Sequence, residues 1–195
     1  MKINFSGSET INVNPQRLWD AVIDPDVLQQ AVPGCREMRF IGPTEYVMAL
    51  DLKIAAVRGG FVGKIALENM DPPHRCTVHV SGEGTLGKGT GIANVMIAMA
   101  EDGKSTVSYD ADGDVGGLVA GVGQRVLMGV AKHLTRQFFE SLKKQNEDHQ
   151  KTIRQHEDDF NSKTQELRQE MEEQENALDK ETKELSLDIN NLLEK

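Results

Sequence analysis

The stretch GEGTLGKGTG, Gly82 to Gly91, holds the pattern in this chain that most resembles a site for chemistry. Gly82, Gly84 and Gly87 spell G-x-G-x-x-G, and Gly82, Gly87 and Lys88 come close to a phosphate loop. Either pattern cradles a nucleotide phosphate only where a strand leads in and a helix leads out, because the helical N–H groups meet the anion. Here the residues that follow are GIANVMIAMAED, rich in β-branched side chains and closed by a turn. Lys88 is followed by Gly89, where a phosphate loop needs Ser or Thr for magnesium. The spacing instead predicts a hairpin turning at Thr85-Leu86. Gly84 then opposes Gly87, Gly82 opposes Gly89, Val80 opposes Gly91 and Val78 opposes Ala93. Side chains alternate along a strand, so one face of this hairpin grades from valine to bare backbone. Glycines gathered on one strand face mark close approach or bending. Either a helix packs tightly over them, or they floor a cavity for an apolar ligand.

The other reactive side chains form no constellation. A nucleophile needs a base, and the base needs an orienting group. The alternation places His79 and Asp110 on the solvent face of strands. His133 sits beside Lys132, off the apolar stripe of a helix, and His74 lies in the turn Pro72-Pro73-His74. His149 and His156 are too far apart to share one ion on one helical turn. Asp110, Asp112 and Asp114 alternate as in a calcium loop but lack the later glutamate, so they are read as the end of a strand. Cys35 and Cys76 form neither a C-x-x-C nor a metal cluster and are expected to be free thiols in a reducing compartment. The expectation is a protein that is not an enzyme, with no catalytic residues, no metal and no covalent cofactor.

The elements that would position a ligand follow from periodicity. Residues 1–13 alternate as a strand through Ile3, Phe5, Ile11 and Val13. Asn14 caps, and Pro15 opens, a short helix over PQRLWDAVI; Asp24-Pro25 starts a second over PDVLQQAV, ended by Pro33-Gly34. Alternating runs then cover 35–41, 45–54, 60–70, 75–83, 87–99 and 105–111, joined by short turns such as Gly42-Pro43 and Asp102-Gly103. After Gly117 the period changes: Val119, Val122, Val126, Val130, Leu134 and Phe138 recur every three or four residues. The fold class expected is α+β, an antiparallel sheet covered by a long final helix.

Composition divides the 195 residues in two. Residues 1–143 hold 14 Lys and Arg against 16 Asp and Glu, while 144–195 hold 8 against 15. The net charge of -9 argues against nucleic acid as a partner. The N-terminus shows no signal peptide and no window is apolar enough to span a membrane, so a cytoplasmic location is expected. In the tail, Ile153, Phe160 and Leu167 are spaced by seven, as are Met171, Leu178, Leu185 and Leu192. Thr164, Gln174 and Glu181 occupy positions that a strong coiled-coil seam fills with Leu or Ile. Residues 144–195 read as an acidic helix able to self-associate weakly through 150–195 or to dock on a partner, with a frayed, solvated tail as the alternative.

The order strand, two helices, strands, long helix resembles the helix-grip fold of the START/Bet v 1-like superfamily. The stretches DPDVLQQAVPGC (24–35), RGGFVGKIAL (58–67), GEGTLGKGTGIANV (82–95), STVSYDADGDVGG (105–117) and VAKHLTRQFFESL (130–142) resemble the carbon monoxide dehydrogenase G-subunit family. That resemblance covers residues 1–143 and leaves the tail unmatched. It implies a seven-stranded sheet gripping a helix, an apolar cavity between them, and an accessory role beside a molybdenum hydroxylase. Carriage of a quinone, and peripheral contact with the inner face of a membrane, belong to the same implication. The residues expected to line the cavity are Met48, Leu50, Leu52, Phe61, Ile65, Val95, Ile97, Val107 and Tyr109 from the sheet. The helices are expected to add Trp19, Leu28, Val126, Leu127, Val130, Leu134 and Phe138. The alternative function is an assembly or scaffold protein acting through its tail without ligand transport; an enzyme built around a cavity is the third reading.

Overall fold

A computed structural model describes residues 1–54 and 57–193, without the side chains of 185 and 187–193. Leu185 and Leu192 of the tail repeat therefore lie outside the described residues. The chain divides into two compact units, Met1–Asn146 and Glu147–Lys195.

In the first unit, β1 (Lys2–Ile11) leads into α1 (Pro15–Ile23) and α2 (Pro25–Ala31). Both helices open on proline behind a capping side chain. The Asn14 carboxamide oxygen accepts from the Arg17 N–H at 2.9 Å, and the Asp24 carboxylate accepts from Asp26 and Val27. Such caps meet donors that the helix itself cannot satisfy. Then come β2 (Cys35–Gly42), β3 (Glu45–Ile54), β4 (Val57–Asp71), β5 (Arg75–Gly84), β6 (Gly87–Met99) and β7 (Ser105–Gly116). All neighbouring strands are antiparallel, in the order β1-β7-β6-β5-β4-β3-β2, so the first strand returns to pair with the last. This is the seven-stranded antiparallel sheet that the alternation predicts.

The glycine hairpin has the expected register: Gly84 faces Gly87, Gly82 faces Gly89, Val80 faces Gly91 and Val78 faces Ala93. No helix starts at Lys88, which stands inside β6. Strand β7 runs further than the sequence suggests, so Asp110, Asp112 and Asp114 lie within it rather than at its end. The final helix also begins later. Residues 118–122 form a short 3-10 turn, Gly123 adopts φ 93, and α3 starts at Gln124 and runs to Leu193. Val119 and Val122 thus precede the helix, because a left-handed residue at 123 interrupts its path.

Three apolar clusters build the core of this unit. One joins Ile11, Leu18, Trp19, Ile97, Val107, Phe139 and Leu142; a second joins Leu28, Met38, Tyr46, Met48 and Leu67; a third joins Val57, Val119 and Leu127. Helix α3 is tied to the sheet near both ends of its part of the unit. Gln124 donates to the Lys2 carbonyl at 3.0 Å at one end. At the other, Lys143 pairs with Glu9 at 2.7 Å and Asn146 donates to the Asn12 carbonyl at 2.8 Å.

Candidate ligand cavity

Between these ties the sheet and the helices enclose a hollow of about 460 Å³. From α3 it is lined by Ala131, Leu134, Thr135, Phe138, Phe139 and Leu142, and from α1 by Leu18, Trp19, Val22 and Ile23. Leu28, Val32 and Pro33 close one side. The sheet contributes Ile65 and Leu67 from β4, Cys76, Val78 and Val80 from β5, and Ala93, Val95 and Ile97 from β6. Val107, Tyr109 and Ala111 of β7 and Phe5 of β1 complete the wall. Val80 points inward by the alternation of β5, yet is 39% exposed; the protein leaves that face incompletely filled.

Sheet geometry explains the gap. Adjacent strands stand about 4.8 Å apart and a helix is about 10 Å across. One helix cannot cover seven strands, and α1 and α2 cover only one end. Small side chains widen the gap where the strands pass beneath α3: Ala93 and Ala111 are register partners on β6 and β7.

The wall is aromatic on one side. Tyr109 stacks on Phe139 with centroids 5.7 Å apart, Phe5 meets Tyr109 edge-on at 6.1 Å, and Phe138 meets Phe139 edge-on at 5.4 Å. Its polar groups are largely spent on the protein itself. The Tyr46 hydroxyl donates to the Ile23 carbonyl at 2.7 Å and the Thr135 hydroxyl to the Ala131 carbonyl at 3.0 Å. Burial pushes the Cys76 thiol up from its ordinary range. Burial, and then the Asp24 carboxylate, raise the Tyr46 phenol; burial, and then Glu9, raise Tyr109. Each shift favours the neutral form at neutral pH, so the wall carries no charge of its own there.

Nine of the expected residues line this hollow together: Trp19, Leu28, Ile65, Val95, Ile97, Val107, Tyr109, Leu134 and Phe138. Seven do not. Met48, Leu50, Leu52 and Phe61 surround a second, smaller hollow of about 270 Å³ beside Gly82, Gly87 and Gly89. Leu127 and Val130 pack with Val57 and Val119 in the third cluster, and Val126 is exposed. The phase of α3 decides this: starting at Gln124, it turns Leu127 toward the sheet and Val126 away. The bare backbone therefore belongs to the second hollow, not to the floor of the main one. Side chains from neighbouring strands already lie across it. A Cβ on Gly84 would come within 2.7 Å of the Phe61 ring, and one on Gly63 within 2.6 Å of the Met48 methyl.

Sequence reasoning did not select Phe5, Leu18, Phe139 and Leu142. Phe5 shares the parity of Ile3 and Ile11 on β1, and Phe139 and Leu142 continue the helical spacing of Thr135, so the signal was present in the periodicity. The remaining reactive groups stay apart. His79 pairs with Glu68 at 3.1 Å, and the His133 ring lies 3.1 Å from the Arg136 guanidinium. Cys35 and Cys76 are free thiols. Among the described residues no three His, Cys, Asp or Glu side chains gather as a metal site, and no helix is long and apolar enough to cross a membrane.

The fold and its cavity have counterparts. A conserved protein from Geobacillus kaustophilus is 31% identical, over 73% of this chain and 94% of its own, with a TM-score of 0.71. A START superfamily protein from Mycobacterium smegmatis superposes with a TM-score of 0.59 at 11% identity, over 74% of this chain and 97% of its own. Ara h 8.0201 does so at 0.55 and 12%, over 73% and 96%. These two show a shared START/Bet v 1-like fold. No curated protein matches the sequence. The family model described as the carbon monoxide dehydrogenase G subunit (CoxG) matches residues 7–146, the whole of the cavity-bearing unit apart from its first strand residues. The chain belongs to this CoxG family of carbon monoxide dehydrogenase subunits.

Proposed function

We propose that this protein is a non-catalytic carrier that takes up an apolar, ring-bearing molecule, a quinone by preference, in the hollow between sheet and α3. We further propose that it delivers this ligand to, or recruits, a molybdenum hydroxylase of the carbon monoxide dehydrogenase type. The observation that carries the reading is the hollow itself: about 460 Å³ of apolar interior walled by Phe5, Tyr109, Phe138, Phe139 and Trp19. Such a volume lies within the ~300–1,000 Å³ usual for small-molecule sites. Flat aromatic faces select a flat ring through offset and edge contacts. The spent hydrogen bonds of Tyr46 and Thr135 leave selection to shape rather than polar readout. Family membership supports the choice of enzyme, since the family is described as a subunit of carbon monoxide dehydrogenase.

The test is to expose the purified full chain to a short-chain naphthoquinone, remove free ligand by gel filtration, and extract the protein peak. The expected result is about one quinone per chain by mass spectrometry. Recovery of none, from protein shown to be folded, contradicts the reading. Pull-down of a molybdenum hydroxylase by the full chain tests the second half separately.

A further inference from the structure

The second unit, taken alone, is a helix that is polar on every side but one. Ile153, Phe160 and Leu167 repeat every seven residues at one seam position, and Met171 and Leu178 continue at the other. Phe160 is 72% exposed and Leu178 65%, and Leu167 and Met171 are exposed as well. A helix with this thin stripe gains little by itself and needs a second surface.

The residues that flank the seam show which surface. Up to position 168 they are Arg154, His156, Asn161, Lys163 and Arg168; from 170 to 184 they are Glu170, Glu175, Ala177, Thr182 and Glu184. Every charge beside the stripe is basic in the first half and acidic in the second. Among the described residues, Lys163, Arg168, Glu175 and Glu184 form no ion pair within their own chain, whereas Lys183 and Lys151, off the seam, do.

The change of sign fixes the direction of pairing. In a parallel, in-register pair, a flanking residue meets the one five positions later on the other helix. Lys163 would meet Arg168 and Glu170 would meet Glu175, both repulsive. Reversing one helix lays the basic half along the acidic half. The register that sets Leu167 opposite Leu178 also brings Arg168 beside Glu175 and Lys163 beside Glu184, each contact occurring twice. By sequence the same register matches Phe160 with Leu185 and Ile153 with Leu192. We propose that two copies of this chain associate through their tails as an antiparallel two-helix coil, in the register that opposes Leu167 to Leu178. The polar positions Gln174 and Glu181 limit its strength, so the association is reversible. It stands on the tail alone, whatever the cavity binds.

Sedimentation equilibrium of the full chain at low salt tests this, with circular dichroism confirming that each variant keeps its helix. The unmodified chain is expected to dimerise. Arg168→Glu and Glu175→Arg, taken singly, are each expected to weaken the dimer about tenfold, and the double variant to restore it. A chain that is monomeric throughout the concentration range overturns the proposal. So do single variants that dimerise more tightly, since a reversed charge at position 168 or 175 would attract Lys163 or Glu170 of a parallel partner. Single variants that change nothing place the dimer elsewhere and overturn it too.

Discussion

Single residues set both the firmness of the scaffold and the space left inside it. Ser105 is fully buried, and its hydroxyl donates to the Val13 carbonyl at 2.6 Å, fastening β7 to the segment entering α1. Ser105→Ala strands that carbonyl without water, and denaturant unfolding is expected to show a loss of about 1–3 kcal/mol. Gly7 acts on the cavity. It faces Tyr109 across β1 and β7, and the Tyr109 phenol lies over its bare backbone. Gly7→Ala is expected to drive that ring off β1 and disturb its stack on Phe139, so quinone affinity falls while the circular dichroism spectrum is kept. Titration of the buried groups has a sign as well. Burial raises Cys76, Cys35, Tyr46 and Tyr109. As pH rises past the ordinary thiol value of ~8.5, the unfolded chain loses protons that the folded chain keeps. Stability is therefore expected to be full at neutral pH and to decline above that value; a melting temperature that climbs with alkaline pH would contradict these shifts.

At the scale of elements, the small side chains on β6 and β7 keep α3 and the sheet from closing on each other. Ala93→Phe is expected to fill the hollow and abolish ligand uptake, with the hydrogen-bonded ladder of β5 and β6 preserved in amide exchange. What could be read from the sequence divides along the same line. The glycine hairpin was legible down to its register, because turn length and the period of two are local properties. So were the proline-led starts of α1 and α2. Which inward-facing residues meet the hollow was not. Met48, Leu50 and Phe61 have the same parity as Ile65, and only the path of α3 over the sheet separates them. That path depends on Gly123, which delays the helix start, and on the distant ties Lys143 to Glu9 and Asn146 to Asn12. No window of sequence contains those contacts.

For the whole molecule, the account joins a unit with an unfilled apolar interior to a tail whose charge pattern suits a second copy of itself. The two features answer different needs, holding a ligand and setting valency, and they can be measured apart. The interior is the central claim, and the protein carries its own reporter there, since Trp19 is the sole tryptophan and lines the hollow. The decisive measurement is the fluorescence of Trp19 in the full chain during titration with 2-methyl-1,4-naphthoquinone, run in parallel on Ala93→Phe. The expected result is quenching that saturates near one equivalent and is lost in the variant. Quenching that rises without saturation and equally in both proteins would contradict the account.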